Sequence, residues 1–129
     1  MLPISIVILT FNAADTIGAT LASATVLSDD VHVVDSGSTD ATLEIARGHG
    51  AKIVHHPFEN YGAQRNWAID TLALAHGWQL HLDADERISD DLAAELRVLF
   101  AGGGPPADIA GYYVPRLVHF HGQIGRAHV

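Results

Sequence analysis

Cysteine is absent from this 129-residue chain, which excludes disulfides, thiolate metal sites and cysteine nucleophiles. Basic residues are scarce. Seven Lys and Arg stand against fifteen Asp and Glu, a formal charge of -8, which argues against nucleic acid or an anionic membrane held through a basic surface. An anionic phosphate ligand would need local help from a metal ion, from backbone N–H groups at helix N-termini, or from the few cationic side chains. Long hydrophobic runs are missing too. Met1-Leu2-Pro3 has no basic leader, and Ile4–Leu9 is too short to span a bilayer or form a secretory core, so the expectation is a soluble, intracellular segment without a transmembrane span. No G-x-G-x-x-G follows the first apolar run and no Walker loop occurs, which removes the dinucleotide Rossmann site and the P-loop. The chain has no internal repeat and no low-complexity tract.

What is present is 48% hydrophobic residues, enough to build the core of one domain. Ile4–Leu9 is a β-branched run of the kind found in a buried parallel strand, ended by Thr10-Phe11-Asn12. Ile17, Leu21 and Ala24 recur at helical spacing between Ala13 and Val26, with Asn12 as the expected cap. Val31–Val34 reads as a second strand. Ser38 is the expected cap of a helix through Ala41, Leu43, Ile45 and Ala46, closed by Gly48 or Gly50. Lys52–His55 is a short third strand, with His55-His56 at its end. A helix is expected from Gly62 to His76, stopped by Gly77, before a fourth strand over Trp78–Leu82. Ser89-Asp90-Asp91 opens a capped, acid-rich helix containing Leu92, Leu96, Leu99 and Phe100, and the glycines and prolines from Gly102 to Pro106 end it. A further strand is expected at Gly111–Pro115, with Pro115 at its end or edge. Strands alternating with helices indicate an α/β fold with a mainly parallel sheet.

Two of these strands end in acids. Val31–Val34 runs into Asp35-Ser36-Gly37-Ser38-Thr39-Asp40, and Trp78–Leu82 runs into Asp83-Ala84-Asp85. Ligands of open α/β sheets bind outside the carboxyl ends of the strands, so the two acidic ends are expected to share one crevice. A lone D-x-D more often caps or terminates an element; the two segments in order, each after a strand, point to a site. The carboxylate pair suits a hard divalent cation carrying a diphosphate.

Four segments together resemble the N-terminal donor-binding half of a family-two glycosyltransferase with the GT-A fold, a Rossmann-like sandwich. They are Ser5–Asn12, Val33–Asp40, Gly62–Ala68 and Leu82–Arg87. Asp83–Arg87 followed by Gly111–Arg116 is most similar to bacterial lipopolysaccharide-core glucosyltransferases. The resemblance implies inverting transfer of a sugar from a nucleotide-diphospho-sugar donor, UDP-linked, to a hydroxyl of a glycan or glycolipid acceptor in lipopolysaccharide or cell-envelope synthesis. It implies that Thr10, Phe11 and Asn12 line the nucleoside pocket, that Asp35 accepts from the pyrimidine N–H, and that Ser36, Gly37 and Ser38 turn closely beside the ligand. Gln64, Arg65 and Asn66 would meet the base, ribose or diphosphate. Asp83, with Ala84 beside it, would contact ribose or metal, and Asp85 would ligate Mg2+ or Mn2+ directly. Glu86 and Arg87 either orient this loop or form a plain surface ion pair. The implied location is the cytoplasm, at the inner face of the membrane for the whole protein.

The family's general base belongs to a later segment not found here. The expectation is therefore a C-terminally truncated donor-binding domain over residues 1–124 and a tail outside the family over 125–129 that reads as a truncation scar. The alternative is a nucleotide-sugar-binding fragment that is catalytically incomplete. Acceptor-side apolar surface is expected around Tyr112, Tyr113 and Phe120. His119 and His121 share a strand face but have no third ligand, and Trp67 and Trp78 read as core. A phosphotransfer hydrolase or a receiver module would need acids at the end of strand one, where Thr10 stands.

Overall fold

The computed structural model describes residues 1–103 in full and the backbone of 113–120 and 123–128. Ile4–Thr10 forms β1, Asp30–Asp35 β2 and Lys52–His55 β3; Trp78–Asp83 forms β4 and Glu86–Ile88 β5. The helices are α1 over Ile17–Thr25, α2 over Thr42–Gly48, α3 over Tyr61–Thr71 and α4 over Asp90–Ala101. Tyr113–Phe120 and Gln123–His128 add strands β6 and β7.

The strands form one sheet in the order β3-β2-β1-β4-β7-β6-β5. The first four are parallel, and β7, β6 and β5 continue the sheet antiparallel. Every residue of β1 and β2 is buried, which is why β1 reads as a nearly continuous apolar run rather than an alternating one, while β2 buries Asp30, His32 and Asp35 among its valines. Ile4, Ile6 and Ile8 face Ile17, Leu21, Leu92 and Leu96 of α1 and α4, while Val7, Leu9 and Val34 face Ala68 of α3 across the other side. Each of the larger side chains contributes about 1.5–3 kcal/mol by leaving water. α1, α2 and α4 thus pack on one face and α3 on the other, and the chain crosses over between β1 and β4. The ends of these two strands form the switch point at which open α/β sheets hold ligands.

Several boundaries differ from the expectation. α1 begins at Ile17, a full turn after Ala13, and Thr16 occupies its N-cap position without a side-chain bond. Asn12 is not the cap: its backbone is left-handed at φ 47°, and its side chain accepts from Thr39 N–H at 2.8 Å. Ser38 does not cap α2, because its hydroxyl donates to Asp35 Oδ1 at 2.5 Å and Ala41 holds the N-cap position. α3 is capped by Asn60, whose side chain accepts from Ala63 N–H at 2.8 Å, and ends at Thr71 rather than His76. Residues 72–77 lack a helical path because Ala75 and His76 turn their N–H groups onto Asp30 and Ser5 of the sheet. Ser89 caps α4 as expected.

Pro115 lies inside β6, between Val114 and Val118 where the pairing with β7 shifts register, an irregularity that accommodates a residue without N–H. Residues 125–128, expected as a tail, lie within β7. Trp67 and Trp78 are half-buried and pack against the two core clusters, in line with a core reading. The side chains of Tyr112, Tyr113, His119, Phe120 and His121 lie outside the described residues.

Candidate active site

A cleft of about 780 Å³ opens at the C-terminal ends of β1 and β4. Thr10, Phe11, Asn12, Ser36, Asp83, Ala84 and Asp85 line it, so residues from three of the four predicted segments converge there. Register explains the convergence: β1 pairs with both neighbours, Thr10 opposite Asp35 and Leu9 opposite Asp83. Side chains far apart in sequence reach one crevice because parallel strands end at the same level.

The β1–α1 and β2–α2 loops are laced together. Asn12 N–H donates to Ser38 Oγ at 2.8 Å, Ala13 N–H to Thr42 Oγ1 at 2.9 Å and Ala14 N–H to Asp40 Oδ2 at 3.2 Å. Asp40 also accepts from the hydroxyl and N–H of Thr42, and these bonds hold its carboxyl below the ordinary range despite the opposing cost of desolvation. Asp35 is buried. Its Oδ2 accepts from Gly37 and Ser38 N–H at 2.9 and 2.8 Å, and its Oδ1 takes the Ser38 hydroxyl. Gly37 has φ 107°, a conformation open to glycine, which lets its N–H point back at this carboxylate. Asp35 and Ser38 are thus engaged within their own loop, beside the cleft.

Gln64 is likewise buried and committed. Its Nε2 donates to Ser36 Oγ at 3.2 Å and to His56 O at 3.0 Å, and its Oε1 meets His56 Nδ1 at 2.7 Å. His56 in turn stacks on Trp67, ring centroids 4.1 Å apart. This network docks α3 onto the ends of β2 and β3 and aims the next residue, Arg65, toward β4. Arg65 Nη2 lies 3.6 Å from Asp83 Oδ1.

The D-A-D segment is a tight turn between β4 and β5. Glu86 is buried and its Oε1 accepts from Asp83 N–H at 2.6 Å, while Ala84 O accepts from the Thr20 hydroxyl at 2.8 Å. Glu86 therefore orients the loop and is not half of a surface ion pair; Arg87 is exposed. Burial, with the nearby charges of Asp83 and Asp85, pushes the Glu86 carboxyl up to about 7 against the bond from Asp83 N–H. Burial also raises Asp83; Arg65 opposes this and Asp85 adds to it.

Three buried polar atoms here have no hydrogen-bond partner within the protein: Thr10 Oγ1, Asp83 Oδ1 and Arg65 Nε. Unsatisfied buried groups cost about 1–3 kcal/mol each; two of these belong to residues that line the cleft, Thr10 and Asp83, and the third to Arg65 beside Asp83. The described residues contain no cluster of three or more His, Asp or Glu that would hold a metal unaided. Asp83 and Asp85 can supply two hard oxygen donors, a set that fits Mg2+ or Mn2+ when ligand oxygens complete the coordination.

Reading by sequence missed the other wall. His55 at the end of β3, Pro57 and Phe58 in the loop after it and Tyr61 at the start of α3 line the cleft, as do Asp15 and Thr16 from the β1–α1 loop. The signal available was the aromatic pair straddling a capping asparagine.

The glycosyl transferase family 2 model matches residues 5–115. Among curated relatives, an uncharacterized glycosyltransferase of Rickettsia typhi is 34% identical over 123 residues, 95% of this chain and 41% of that protein. The lipopolysaccharide core biosynthesis glycosyltransferase LpsC of Rhizobium meliloti is 29% identical over 126 residues, 94% of this chain and 44% of its own length. The chain thus spans less than half the length of these relatives. Among solved structures, glucosyl-3-phosphoglycerate synthase of Mycobacterium tuberculosis, in complex with Mn2+, UDP and glucosyl-3-phosphoglycerate, superposes with a TM-score of 0.64 at 24% identity, covering 85% of this chain and 42% of that one. With its mostly parallel sheet, flanking helices and strand-end cleft, the chain has the GT-A fold and belongs to glycosyl transferase family 2.

Proposed function

We propose that this chain is the donor-binding part of an inverting glycosyltransferase that takes a sugar from a UDP-linked donor to an acceptor hydroxyl in lipopolysaccharide or cell-envelope glycan synthesis. The observation that carries the reading is the pair of unsatisfied buried atoms, Thr10 Oγ1 and Asp83 Oδ1, on neighbouring strand ends of one cleft. The UDP and Mn2+ of the mycobacterial synthase complex and the pathway of LpsC support it as likenesses.

In this reading Asp85 and Asp83 hold Mg2+ or Mn2+, and the Arg65 guanidinium supplies charged donors to the diphosphate. When bound, the cation offsets negative charge on the departing diphosphate. Thr10 donates to the nucleotide, and Phe11, Asn12, Ser36, Gly37 and Ser38 form the close wall beside it. Asp35 meets the base edge through lone pairs left after its loop bonds. Glu86 fixes the turn so that both aspartates face the ligand. The general base that receives the acceptor's proton is assigned to the remainder of a longer protein, in keeping with the greater length of the relatives. Residues 1–124 are the donor-binding domain, and the whole protein works in the cytoplasm at the inner face of the membrane. No helix among the described residues is long and apolar enough to cross a membrane.

Calorimetric titration with UDP, with and without Mn2+, tests the reading. Metal-dependent binding lost in Asp85→Ala is expected; undiminished Mn2+-dependent binding in that variant would falsify the metal role, and no binding by the folded wild type refutes the donor site.

A further inference from the structure

β4 and β5 follow one another in the chain with Ala84 and Asp85 between them, yet they are not neighbours in the sheet: β7 and β6 stand between them. An ordinary hairpin turn is held by the ladder of hydrogen bonds that joins its two strands. The D-A-D turn has no such ladder across it, so side chains set its path. Glu86 supplies one bond from within the segment, to Asp83 N–H. Two more come from α1.

Thr20 is buried on the face of α1 that carries Ile17, Leu21 and Ala24, where helical spacing calls for an apolar residue. A buried hydroxyl costs free energy unless it is bonded. Its nearer partner is not the helix carbonyl of Thr16, at 3.4 Å, but Ala84 O on the turn, at 2.8 Å. One turn further along the helix, the Ser23 hydroxyl donates to Thr20 O at 2.8 Å and accepts from Ile88 N–H at 3.0 Å. The helix therefore grips the chain at Ala84 and again at Ile88, on either side of Asp85 and Glu86. It is a firm support, since Ile17, Leu21 and Ala24 root it in the core cluster that also holds Ala84 and Ile88.

The consequence for the site is geometric. The peptide joining Ala84 to Asp85 is planar, so a bond that fixes the Ala84 carbonyl also fixes the direction in which the chain enters Asp85. Asp83 and Asp85 both line the cleft, whereas Thr20 lies outside its lining. A small hard cation shared by two carboxylates needs their oxygens at set positions, and partners behind the ligands supply that order.

We propose that Thr20, backed by Ser23, is a positioning residue for the candidate metal-binding turn: its hydroxyl sets the relation of Asp83 to Asp85, and through it the affinity for the divalent cation, without meeting the cation or the donor. The proposal rests on the donor-site reading above.

The test measures Mn2+ affinity at saturating UDP, from the electron paramagnetic resonance of free Mn2+, beside the Tm of each protein. Thr20→Val keeps the shape and removes the hydroxyl, Thr20→Ser keeps the hydroxyl, and Leu21→Val loosens the packing of the same helix without touching a bond to the turn. Thr20→Val is expected to weaken Mn2+ about tenfold, while Thr20→Ser and Leu21→Val bind it like wild type whatever their Tm. Wild-type Mn2+ affinity in folded Thr20→Val overturns the positioning role and leaves the donor site standing. A loss in Thr20→Ser or Leu21→Val equal to that in Thr20→Val overturns it too, because packing and not the hydroxyl would then govern the site. Should Thr20→Val not fold, Ser23→Ala decides: weaker Mn2+ binding supports the role and unchanged binding overturns it. Absence of Mn2+-dependent UDP binding by the folded wild type overturns both readings.

Discussion

Glu86 Oε1 accepts a 2.6 Å hydrogen bond from the backbone N–H of Asp83, so a buried carboxyl on β5 sets the path of the turn that carries both candidate metal ligands. Glu86→Ala leaves that N–H without its partner and opens a small cavity. The expected result is a loss of about 1–3 kcal/mol in urea unfolding together with weaker Mn2+-dependent UDP binding. Glu86→Gln keeps an acceptor at the same reach and is expected to retain most of both; equal damage by the two substitutions would mean that charge, not the bond, is what matters.

Gln64 and His56 lock α3 against the sheet, which holds Arg65 beside Asp83, and the proposed donor site gives its guanidinium to the diphosphate. Arg65→Ala should weaken UDP binding by roughly 10- to 100-fold, the worth of charge-assisted bonds. Arg65→Lys should recover only part of it, because an ammonium lacks the planar fork. Calorimetry on the three proteins checks the ranking.

Gly37 sits at φ 107°, and a Cβ added there would have His55 Nε2 as its nearest neighbour, at an ordinary 3.6 Å. Gly37→Ala therefore meets no clash, and its cost, about 1–3 kcal/mol, comes from backbone strain. Thermal unfolding is expected to show that loss. UDP affinity should fall with it, as the N–H groups of residues 37 and 38 turn away from Asp35.

Asp30 anchors the opposite end of the sheet. Its carboxylate accepts from Ser5 Oγ and Ala75 N–H, and meets Lys52 Nζ at 2.6 Å and His32 Nε2 at 2.8 Å. Burial works to raise its pKa, but the bonds from Lys52, Ser5 and Ala75 and the charge of His32 outweigh it and hold the carboxyl well below the usual range. A depressed folded pKa contributes stability that is present above the ordinary carboxylate value and is lost as pH falls through the folded one. Asp30→Asn should cost about 3 kcal/mol at pH near 7. The gap to wild type should narrow steadily below about pH 4, where the unfolded chain takes up the proton. Urea unfolding at both pH values decides it; a constant gap would show that the bonds, not the charge, carry the effect.

Much of the fold was legible from local pattern. β1 and the Val31–Val34 stretch of β2 are rich in β-branched residues because both faces of the sheet are covered, and α4 carries its Ser89 cap and acidic first turn in plain view. The failures have a common cause. Asn12 and Ser38 look like helix caps, but each is taken up by loop contacts instead, and the helix from Tyr61 stops early because Asp30 and Ser5 claim the N–H groups of residues 75 and 76. β5 is three residues long, too short for any periodicity, and exists because β6 pairs with it.

For the candidate site, the sequence by itself determined which residues could carry the chemistry: acids and a hydroxyl after apolar runs, where strands end. The tertiary structure decided their state. Asp35 and Gln64 became internal fasteners, Glu86 became a buried support, and Thr10 and Asp83, both residues of the cleft lining, kept buried atoms without a hydrogen-bond partner. Phe58 and Tyr61 join the cleft lining from the loop before α3 and from its first residue. Hydrogen bonds between distant segments and burial from water are properties of the folded chain, and no local pattern of residue types encodes which polar group will find a partner.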